Sequence, residues 1–181
     1  LRDFGLGPRH QVDDTPYGGG DGMVLKPEPI VDAIKHAKAL VGENSLVILP
    51  TPRGSIYTQN EAKSLAKKGK NIVIVCPRYE GYDERIIKYV DYQFCLGTYV
   101  LTGGELPAMT IVDSVVRLLG GVLGGADSAE KESFQEDLNR IEHPQYTRPD
   151  SFEGESVPEV LKNGNHAEIE RWREENSFTL D

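Results

Sequence analysis

The 181-residue chain has few of the residues that mark disulfide-rich or metal-binding proteins. Its two cysteines are too few for a disulfide framework, and neither they nor the four scattered histidines have the spacing of a metal site. No apolar run approaches the roughly 20 residues that cross a bilayer, and no secretory signal is visible. The sequence therefore predicts a cytoplasmic protein without a metal site, in which Cys76 and Cys95 are buried, reduced thiols.

Excess positive charge is also lacking. Residues 1–125 hold 14 basic and 14 acidic residues, whereas residues 126–181 hold 6 basic and 15 acidic ones and account for the whole net charge of −9. This is not the pattern of a polybasic nucleic-acid surface. One local basic cluster is formed by Lys63, Lys67, Lys68 and Lys70. The cluster is explained more simply as the solvated face of a helix than as a nucleic-acid patch.

The glycine-rich segments lack the fingerprints of the common nucleotide sites. The run at 18–20 is not followed by the Lys-Ser/Thr of a phosphate-binding loop, and no GxGxxG follows a strand. Two other loops, 77–81 and 97–105, combine glycine with polar residues directly after apolar runs. A single glycine cluster is more typical of a tight turn than of a site. Three clusters in one small domain favour a ligand site.

The order of periodic segments predicts a parallel sheet flanked by helices. Strands are predicted over 46–49, 71–76 and 92–96, with a loop at 51–55. The run at 71–76 (NIVIVC) shows no polar alternation, which is typical of a strand buried on both faces. Helical spacing predicts helices over 28–41, 60–68, 83–89 and 105–119. Because ligands bind outside the carboxyl ends of parallel strands, the two loops predict a pocket there.

Three residues indicate where helices begin or end. Gly69 is suited to stopping the second helix, and Asp83 and Asn165 are good N-caps of later ones. The helix after Asn165 carries Ile169 and Trp172 on one face. Between Gly120 and that helix, residues 124–158 are rich in Gly, Ser, Asp, Glu and Pro, and this composition predicts a long linker.

Several charged residues have both a structural and a functional interpretation. Arg117, on an apolar helix, either pairs with Asp113 at i−4 or orients an anionic or aromatic ligand. Glu105 stands at a helix start, where capping is its default role. Glu130 and Glu132 are solvated carboxylates by composition, although a linker carboxylate that orders over a ligand can act as a general base.

Six segments resemble the bacterial tRNA (guanine-N1)-methyltransferases of the trefoil-knot (SPOUT) superfamily. They occur in family order across nearly the whole chain, and several are long enough to make the resemblance specific. They are VDDTPYGGGDGM (12–23), CPRYEGYDERI (76–86), LGTYVLTGGELPAM (96–109), DSVVRLLGGVLG (113–124), PQYTRP (144–149) and GNHAEIERWR (164–173).

The resemblance implies an α/β domain over 1–123 whose C-terminal part forms a trefoil knot. A linker over 124–158 carries the catalytic carboxylate, and a small helical tRNA-binding domain begins within 159–181. The family's first strand and helix are expected before Leu1, and most of the helical domain after Asp181. The resemblance further implies a homodimer with active sites at the subunit interface. It would transfer a methyl group from S-adenosylmethionine, assisted by Mg2+, to N1 of the guanine just 3′ of the tRNA anticodon.

By motif match, the resemblance also assigns site residues. Arg117 matches the catalytic arginine, and Glu132 stands where the family has its catalytic Asp, so the carboxylate reaches one methylene further. Pro77 replaces a Gly, Cys95 replaces a Ser, and Asp137 stands where Gly is expected. The implied cofactor contacts are Pro52, Pro77, Tyr79, Glu80, Gly81, Cys95, Leu96, Gly97, Thr98, Tyr99, Val100, Leu101, Gly103, Gly104 and Pro107.

Two other interpretations remain at this point. The departures at Glu132 and Pro77 suit a non-catalytic knot that binds cofactor or RNA, but the retention of Arg117 and a linker carboxylate counts against it. A methyltransferase of the same superfamily acting on another RNA base is the other alternative. The segments at 12–23 and 164–173 count against that one, because they resemble the tRNA (guanine-N1) family in particular.

Overall fold

The computed structural model describes residues 1–123, 132–135 and 137–180. Contacts divide the chain into two compact units, Leu1–Leu119 and Gly120–Asp181. The division falls close to the predicted domain end at residue 123. Across the described residues, no helix combines the length and apolar character needed to span a membrane.

The first unit, all of which the structure describes, contains the predicted parallel sheet flanked by helices. The elements, in chain order, are a 3-10 turn (Arg2–Phe4), β1 (Asp13–Asp14), β2 (Val24–Leu25), α1 (Pro27–Val41), β3 (Leu46–Ile56), α2 (Gln59–Lys68), β4 (Ile72–Ile74), a 3-10 helix (Glu84–Tyr89), β5 (Tyr92–Cys95) and α3 (Glu105–Val116). The sheet order is β4-β3-β5, with both pairings parallel, and a separate antiparallel pair joins β1 and β2.

Strand β3 is the centre of this unit. Because successive side chains of a strand point to opposite faces, β3 takes part in two separate hydrophobic cores. Val47 and Leu49 pack with the buried residues of α1, whereas Leu46 and Ile48 pack with those of α2 and α3. Helices thus cover β3 on both faces, which explains its unbroken apolar start.

The prediction of a strand at 71–76 with both faces covered is confirmed in kind but not in degree, since Ile72 and Ile74 pack against one core and Val73 against the other. The strand is shorter, and its three residues, Ile72–Ile74, are all half-buried. It lies at the edge of the three-stranded sheet, next to β3. An apolar run shows that a strand is apolar, but not whether the strand lies at the centre or at the edge of the sheet. The central and most buried strand is β3.

The predicted end of the strand before a loop at 51–55 is wrong, because β3 continues to Ile56. Both Pro50 and Ser55 lie opposite Phe94 of β5, so the residues between them form an excursion that leaves β5 and returns to it. Gly54 permits the return, because a Cβ there would overlap the backbone of Gln93 and Phe94. A strand pairing therefore closes the excursion at both ends.

Local signals at the helix ends are confirmed. Gly69 caps α2 in the left-handed conformation, with φ of 57°. The Asp83 carboxylate accepts a hydrogen bond from the Arg85 N–H at 3.0 Å.

Helix α3 ends at Val116, earlier than the predicted 119, and Arg117 is its C-terminal cap. The capping box of α2, formed by Thr58 and Glu61, was not predicted.

The second unit is built from short elements. Its described elements are β6 (Arg140–Ile141), β7 (Ser151–Phe152), β8 (Glu155–Ser156), a 3-10 turn (Glu159–Leu161), α4 (His166–Asn176) and β9 (Phe178–Thr179). The pairs β6–β9 and β7–β8 are both antiparallel. Three of these strands lie within the range predicted as linker.

The N-cap of the last helix is confirmed, since the Asn165 side chain accepts a hydrogen bond from the Glu168 N–H at 3.4 Å. On this helix, Trp172 makes edge contacts with the rings of His143 and Tyr146, at centroid distances of 5.9 and 6.1 Å. An aromatic cluster thus ties α4 to the segment that precedes β7.

Candidate functional site

A cavity of about 280 Å³ lies where the three parallel strands deliver their loops. Ligand pockets commonly measure roughly 300–1,000 Å³, so this cavity is near the lower limit for a small-molecule site. Its lining includes every predicted cofactor-contact residue except Thr98. It also includes Arg78 and Thr102, which belong to the two loops predicted to form the pocket, and four residues that were not predicted, namely Pro50, Thr51, Tyr82 and Phe94.

The excursion of β3 forms one wall of the pocket through Pro50, Thr51 and Pro52. The Thr51 hydroxyl accepts a hydrogen bond from the Tyr82 hydroxyl at 2.9 Å and another from the Arg53 N–H at 3.4 Å. The first bond joins this wall to the loop after β4. Sequence reasoning missed the pair because 31 residues separate the two side chains.

The loop after β4 is fixed by backbone pairing with β2 and its neighbour. The Glu80 N–H donates to the Met23 carbonyl at 3.0 Å, and the Leu25 N–H donates to the Gly81 carbonyl at 3.0 Å. Between these contacts and β4, Tyr79 has a positive φ of 61° and is half exposed. The pocket wall therefore has a defined shape although it belongs to no regular element.

The loop after β5 approaches the loop after β4 at backbone distance. The Gly104 N–H donates to the Pro77 carbonyl at 2.9 Å. A Cβ on Gly104 would lie 2.6 Å from Pro77 Cδ and 2.7 Å from Cys76 Cα, so a larger residue would push the loops apart. The requirement for glycine at 104 thus comes from close packing of two backbones.

An ion pair connects the same two loops at the surface. Arg78 Nε donates to Glu105 Oε1 at 2.8 Å, and both side chains are about half exposed, at 57% and 47%. Exposed pairs of this kind contribute little stability. Glu105, predicted as a helix-capping residue, stands at the start of α3 and positions the guanidinium of a pocket-lining arginine.

Cys95 lines the pocket and Cys76 precedes the lining residue Pro77, so neither thiol lies inside a core. The prediction of buried thiols is wrong in degree, since Cys76 and Cys95 are both half-buried. Desolvation raises the pKa of the Cys76 thiol, and the Glu105 carboxylate raises it further against the opposing effect of Arg78. The Cys95 thiol donates to the Gly97 carbonyl at 3.3 Å.

The two predicted catalytic residues belong to different units. Arg117 lies half-buried at the end of α3, the helix whose first turn supplies Pro107 to the pocket, and its backbone N–H donates to the Asp113 carbonyl at 3.2 Å. Glu132 is half-buried in the second unit. Glu130 lies outside the described residues. The approach of Arg117 and Glu132 to one ligand remains a prediction.

The arrangement suits an organic ligand with apolar and polar parts. Apolar and proline side chains line the cavity together with glycine-rich backbone, which offers hydrogen-bonding groups. In the part of the chain that the structure describes, no three His, Cys, Asp or Glu side chains form a group that would hold a metal ion.

Comparison with known proteins agrees with this description. The family model described as tRNA (Guanine-1)-methyltransferase TrmD matches residues 1–180. A protein of Myxococcus xanthus (strain DK1622) is 51% identical over 180 residues, which cover 99% of this chain and 72% of the relative. A protein of Clostridium novyi (strain NT) is 47% identical over 180 residues, covering 99% and 73%. One of Syntrophotalea carbinolica is 53% identical over 173 residues, covering 96% and 68%. All three are named tRNA (guanine-N(1)-)-methyltransferase.

Proposed function

The chain belongs to the tRNA (guanine-1)-methyltransferase family, and from that membership we propose that it methylates N1 of the guanine immediately 3′ of the tRNA anticodon. The methyl donor is S-adenosylmethionine. The observation that carries the proposal is the family match over residues 1–180. The pocket at the carboxyl ends of the parallel strands supports it, because the loops that match the family motifs form that pocket.

We propose that the pocket holds the methyl donor by its backbone and by short side chains. The residues that would hold it are the pocket-lining ones already predicted, with Thr98 as a neighbour outside the lining. The fit rests on the cavity lining, which combines apolar and proline side chains with glycine-rich backbone. S-adenosylmethionine would supply an electrophilic methyl group bound to a sulfonium.

Two side chains of this protein would act on the guanine. Guanine N1 carries a proton and is a poor nucleophile until a base removes it, and Glu132 is the proposed base. Loss of that proton leaves negative charge that spreads to O6, where the guanidinium of Arg117 would stabilise it. Holding the two reactants in line for displacement supplies much of the rate.

The finer architecture is also a proposal. The C-terminal part of 1–123 would form the family's trefoil knot, 124–158 would be the linker that carries the base, and 159–181 would begin the small helical tRNA-binding domain. The parallel sheet and helix α4 are compatible with the α/β domain and with a helical start of the last domain, whereas the knot rests on family membership alone. We further propose that the reaction takes place in the cytoplasm and that Mg2+ assists it, which a titration of activity against Mg2+ checks.

A second copy of the chain is the proposed partner in a homodimer. Helix α3 buries Pro107, Ile111 and Val115, yet it also exposes a second apolar stripe. The stripe consists of Leu106, Met109, Val112 and Val116, which are 61%, 66%, 50% and 40% exposed. Contiguous exposed apolar surface of this kind commonly marks an interaction site. Sedimentation of the protein and of Met109→Glu tests the dimer, and the variant should be monomeric.

The deciding experiment is transfer of a labelled methyl group to tRNA transcripts. One transcript carries guanine directly 3′ of the anticodon, and a matched transcript carries adenine there. Label on the guanine transcript alone would establish the enzyme, the base and the position. Label on neither transcript, with binding of S-adenosylmethionine intact in calorimetry, would sink the proposal and leave a cofactor-binding protein.

A further inference from the structure

One hydrogen bond between side chains joins two walls of the pocket. Tyr82 and Thr51 both line the cavity, and the Tyr82 hydroxyl donates to Thr51 Oγ1 at 2.9 Å. Thr51 is 7% exposed and Tyr82 is half-buried, so the bond is largely shielded from bulk water. A hydrogen bond in such surroundings is stronger than one in water and restrains the two groups that it joins.

The Tyr82 side of this bond is held firmly. The Leu25 N–H donates to the Gly81 carbonyl at 3.0 Å. The Leu25 carbonyl accepts from the Asp83 N–H at 2.9 Å, so the residues before and after Tyr82 are tied to the same strand, β2. The Tyr82 side chain also packs against the core that contains the fully buried Ile86. The tyrosine hydroxyl therefore has a fixed place beside the cavity.

The Thr51 side of the bond has less support. The described register between β3 and β4 ends at Ile48, and that between β3 and β5 is interrupted between Pro50 and Ser55. Residues 51–54, the excursion of β3, thus have no register partner in either neighbouring strand. Since ladder pairing does not fix this wall between its two ends, its position depends on side-chain contacts.

Two side-chain contacts tie the excursion to the segment after β4 in the described part of the chain. One is the bond from Tyr82 to Thr51, and the other is an ion pair of Arg53 with Glu84 at 3.1 Å. The side chains of that ion pair are 73% and 63% exposed. Because exposed ion pairs contribute little, the shielded bond from Tyr82 is the main restraint on the excursion.

We propose that Tyr82 is a positioning residue for the methyl donor and acts through Thr51. Its hydroxyl holds the excursion of β3 at the distance from the loop after β4 that fits the donor between them. The inference rests on the proposed function, which places S-adenosylmethionine in this pocket. Without the hydroxyl, the wall would have to be ordered when the donor binds, and this ordering lowers affinity.

Calorimetry with S-adenosylmethionine tests this role. Tyr82→Phe keeps the ring and its packing but removes the hydroxyl, and it should weaken donor affinity by roughly 3- to 10-fold, the effect of one hydrogen bond. Thr51→Val removes the acceptor and should weaken affinity by at least as much, whereas Thr51→Ser keeps the hydroxyl and should retain affinity. The double variant should bind no more weakly than Thr51→Val, because both substitutions remove the same bond.

Tyr57→Phe is the matched control. Tyr57 is also half-buried, and its hydroxyl forms a hydrogen bond with the Ser114 hydroxyl at 2.8 Å in the same unit. Neither of these two described residues lines the pocket. The two Tyr→Phe variants should lose similar stability in urea unfolding, whereas only Tyr82→Phe should lose donor affinity. This comparison separates positioning of the donor from a general loosening of the fold.

Hydrogen exchange of the free protein gives a readout that needs no ligand. Peptides that cover residues 51–56 should exchange faster in Tyr82→Phe than in the unaltered protein, while peptides of α1 keep their rate. Unchanged exchange over 51–56 would overturn the inference, because the bond would then not restrain the excursion. In methyl transfer, KM for the donor should rise while kcat at saturating donor changes little, as expected for lost uniform binding.

The inference and the proposed function can fail separately. Donor affinity of Tyr82→Phe equal to that of the unaltered protein would overturn the inference, as would an equal loss in Tyr57→Phe. If the unaltered protein binds the donor but transfers no methyl group to tRNA, the proposed function fails, and weaker binding by Tyr82→Phe still supports the inference. If the unaltered protein binds no donor at all, both are overturned.

Discussion

The two units of this chain differ in almost every property that stabilises a fold. The first unit, Leu1–Leu119, has two hydrophobic cores around β3 and no net charge. The second, Gly120–Asp181, carries the whole net charge of −9, and none of its described residues is buried. The first unit therefore has the packing to fix a pocket, and the second does not have the packing to hold a catalytic group rigidly by itself.

From this difference we propose that the first unit binds the methyl donor and the second unit supplies the base. We propose that the methyl donor binds to loops that two cores and a parallel sheet hold in position. The proposed base, Glu132, belongs to the unit in which no described residue is buried. Segments of low local stability are the ones that commonly order on binding. The predictions below test whether catalysis depends on residues of both units while the stability of the fold depends mainly on the first.

The largest effect is expected for the base. Glu132→Gln should lower kcat by about 10²–10⁴-fold, the usual contribution of a general base, with little change in affinity for S-adenosylmethionine. Steady-state transfer assays and calorimetry measure the two quantities. Glu159→Gln is a control from the same unit, because Glu159 pairs with Lys162 at 2.6 Å in a surface ion pair. A fully active Glu132→Gln variant would remove Glu132 as the base.

Arg117 should show a similar loss from the first unit. Arg117→Ala removes the group that would stabilise charge on O6, and one such donor contributes roughly 10²–10³-fold to kcat. The measurement is kcat with the affinity for tRNA recorded in parallel. Unchanged turnover would favour the other interpretation of this residue, a surface ion pair with Asp113.

Stability should respond to truncation in the first unit far more than in the second. Ile111 is a fully buried residue of α3 that packs against the sheet. The substitution Ile111→Ala should lower the free energy of unfolding by about 2–5 kcal/mol. Ile169 is half-buried on α4, so Ile169→Ala should lower the free energy of unfolding by less than about 1 kcal/mol. Urea unfolding measures both. Equal costs would contradict the distinction drawn between the units.

Donor affinity should be more sensitive to an added methyl group at Gly104, in the pocket, than at Gly120, the first residue of the second unit. Gly104→Ala would press a methyl group against Pro77 and Cys76, so donor affinity should fall on the order of 10-fold or more as the loops separate. Gly120→Ala is the matched control, because a Cβ there meets nothing within 4 Å. Calorimetry with S-adenosylmethionine gives both affinities, and equal values would show that the loops adjust freely.

The smallest effect concerns pH and the joint between β3 and α3. Burial raises the pKa of the Tyr57 phenol, partly opposed by its 2.8 Å hydrogen bond with Ser114. The unfolded chain releases this proton near pH 10, whereas the folded protein retains it to higher pH. Stability from Tyr57 is thus complete below pH 10 and is lost as pH rises through the folded pKa. Tyr57→Phe should make the decline above pH 10 shallower, as measured by urea unfolding.

Local signals in the sequence predicted local structure well. The stop at Gly69 and the caps at Asp83 and Asn165 depend on a few neighbouring residues, and the structure confirms them. The parallel sheet followed from the order of strands and helices, which covalent connection dictates. In each case the decisive contacts lie close along the chain.

Features set by distant residues were not predictable in the same way. The position of β4 at the sheet edge depends on which strands pair with β3. The continuation of β3 through 51–56 depends on Phe94 of β5, which pairs with both Pro50 and Ser55. Thr51 contains no signal that its partner is Tyr82. For the pocket, the two loops were predicted from the residues themselves, whereas the individual cofactor contacts came from family resemblance and remain a prediction.

The excursion of β3 has a consequence for the order of folding events. The excursion is closed by β5, which lies far from β3 along the chain. The hydrogen bond from the Val47 N–H to the Asp91 carboxylate, for example, joins residues 44 positions apart. Long-range parallel pairing is slow to form, so the pocket is complete only when β5 docks. Binding of the methyl donor would therefore report finished folding of the first unit, and saturating donor would slow its opening and proteolysis.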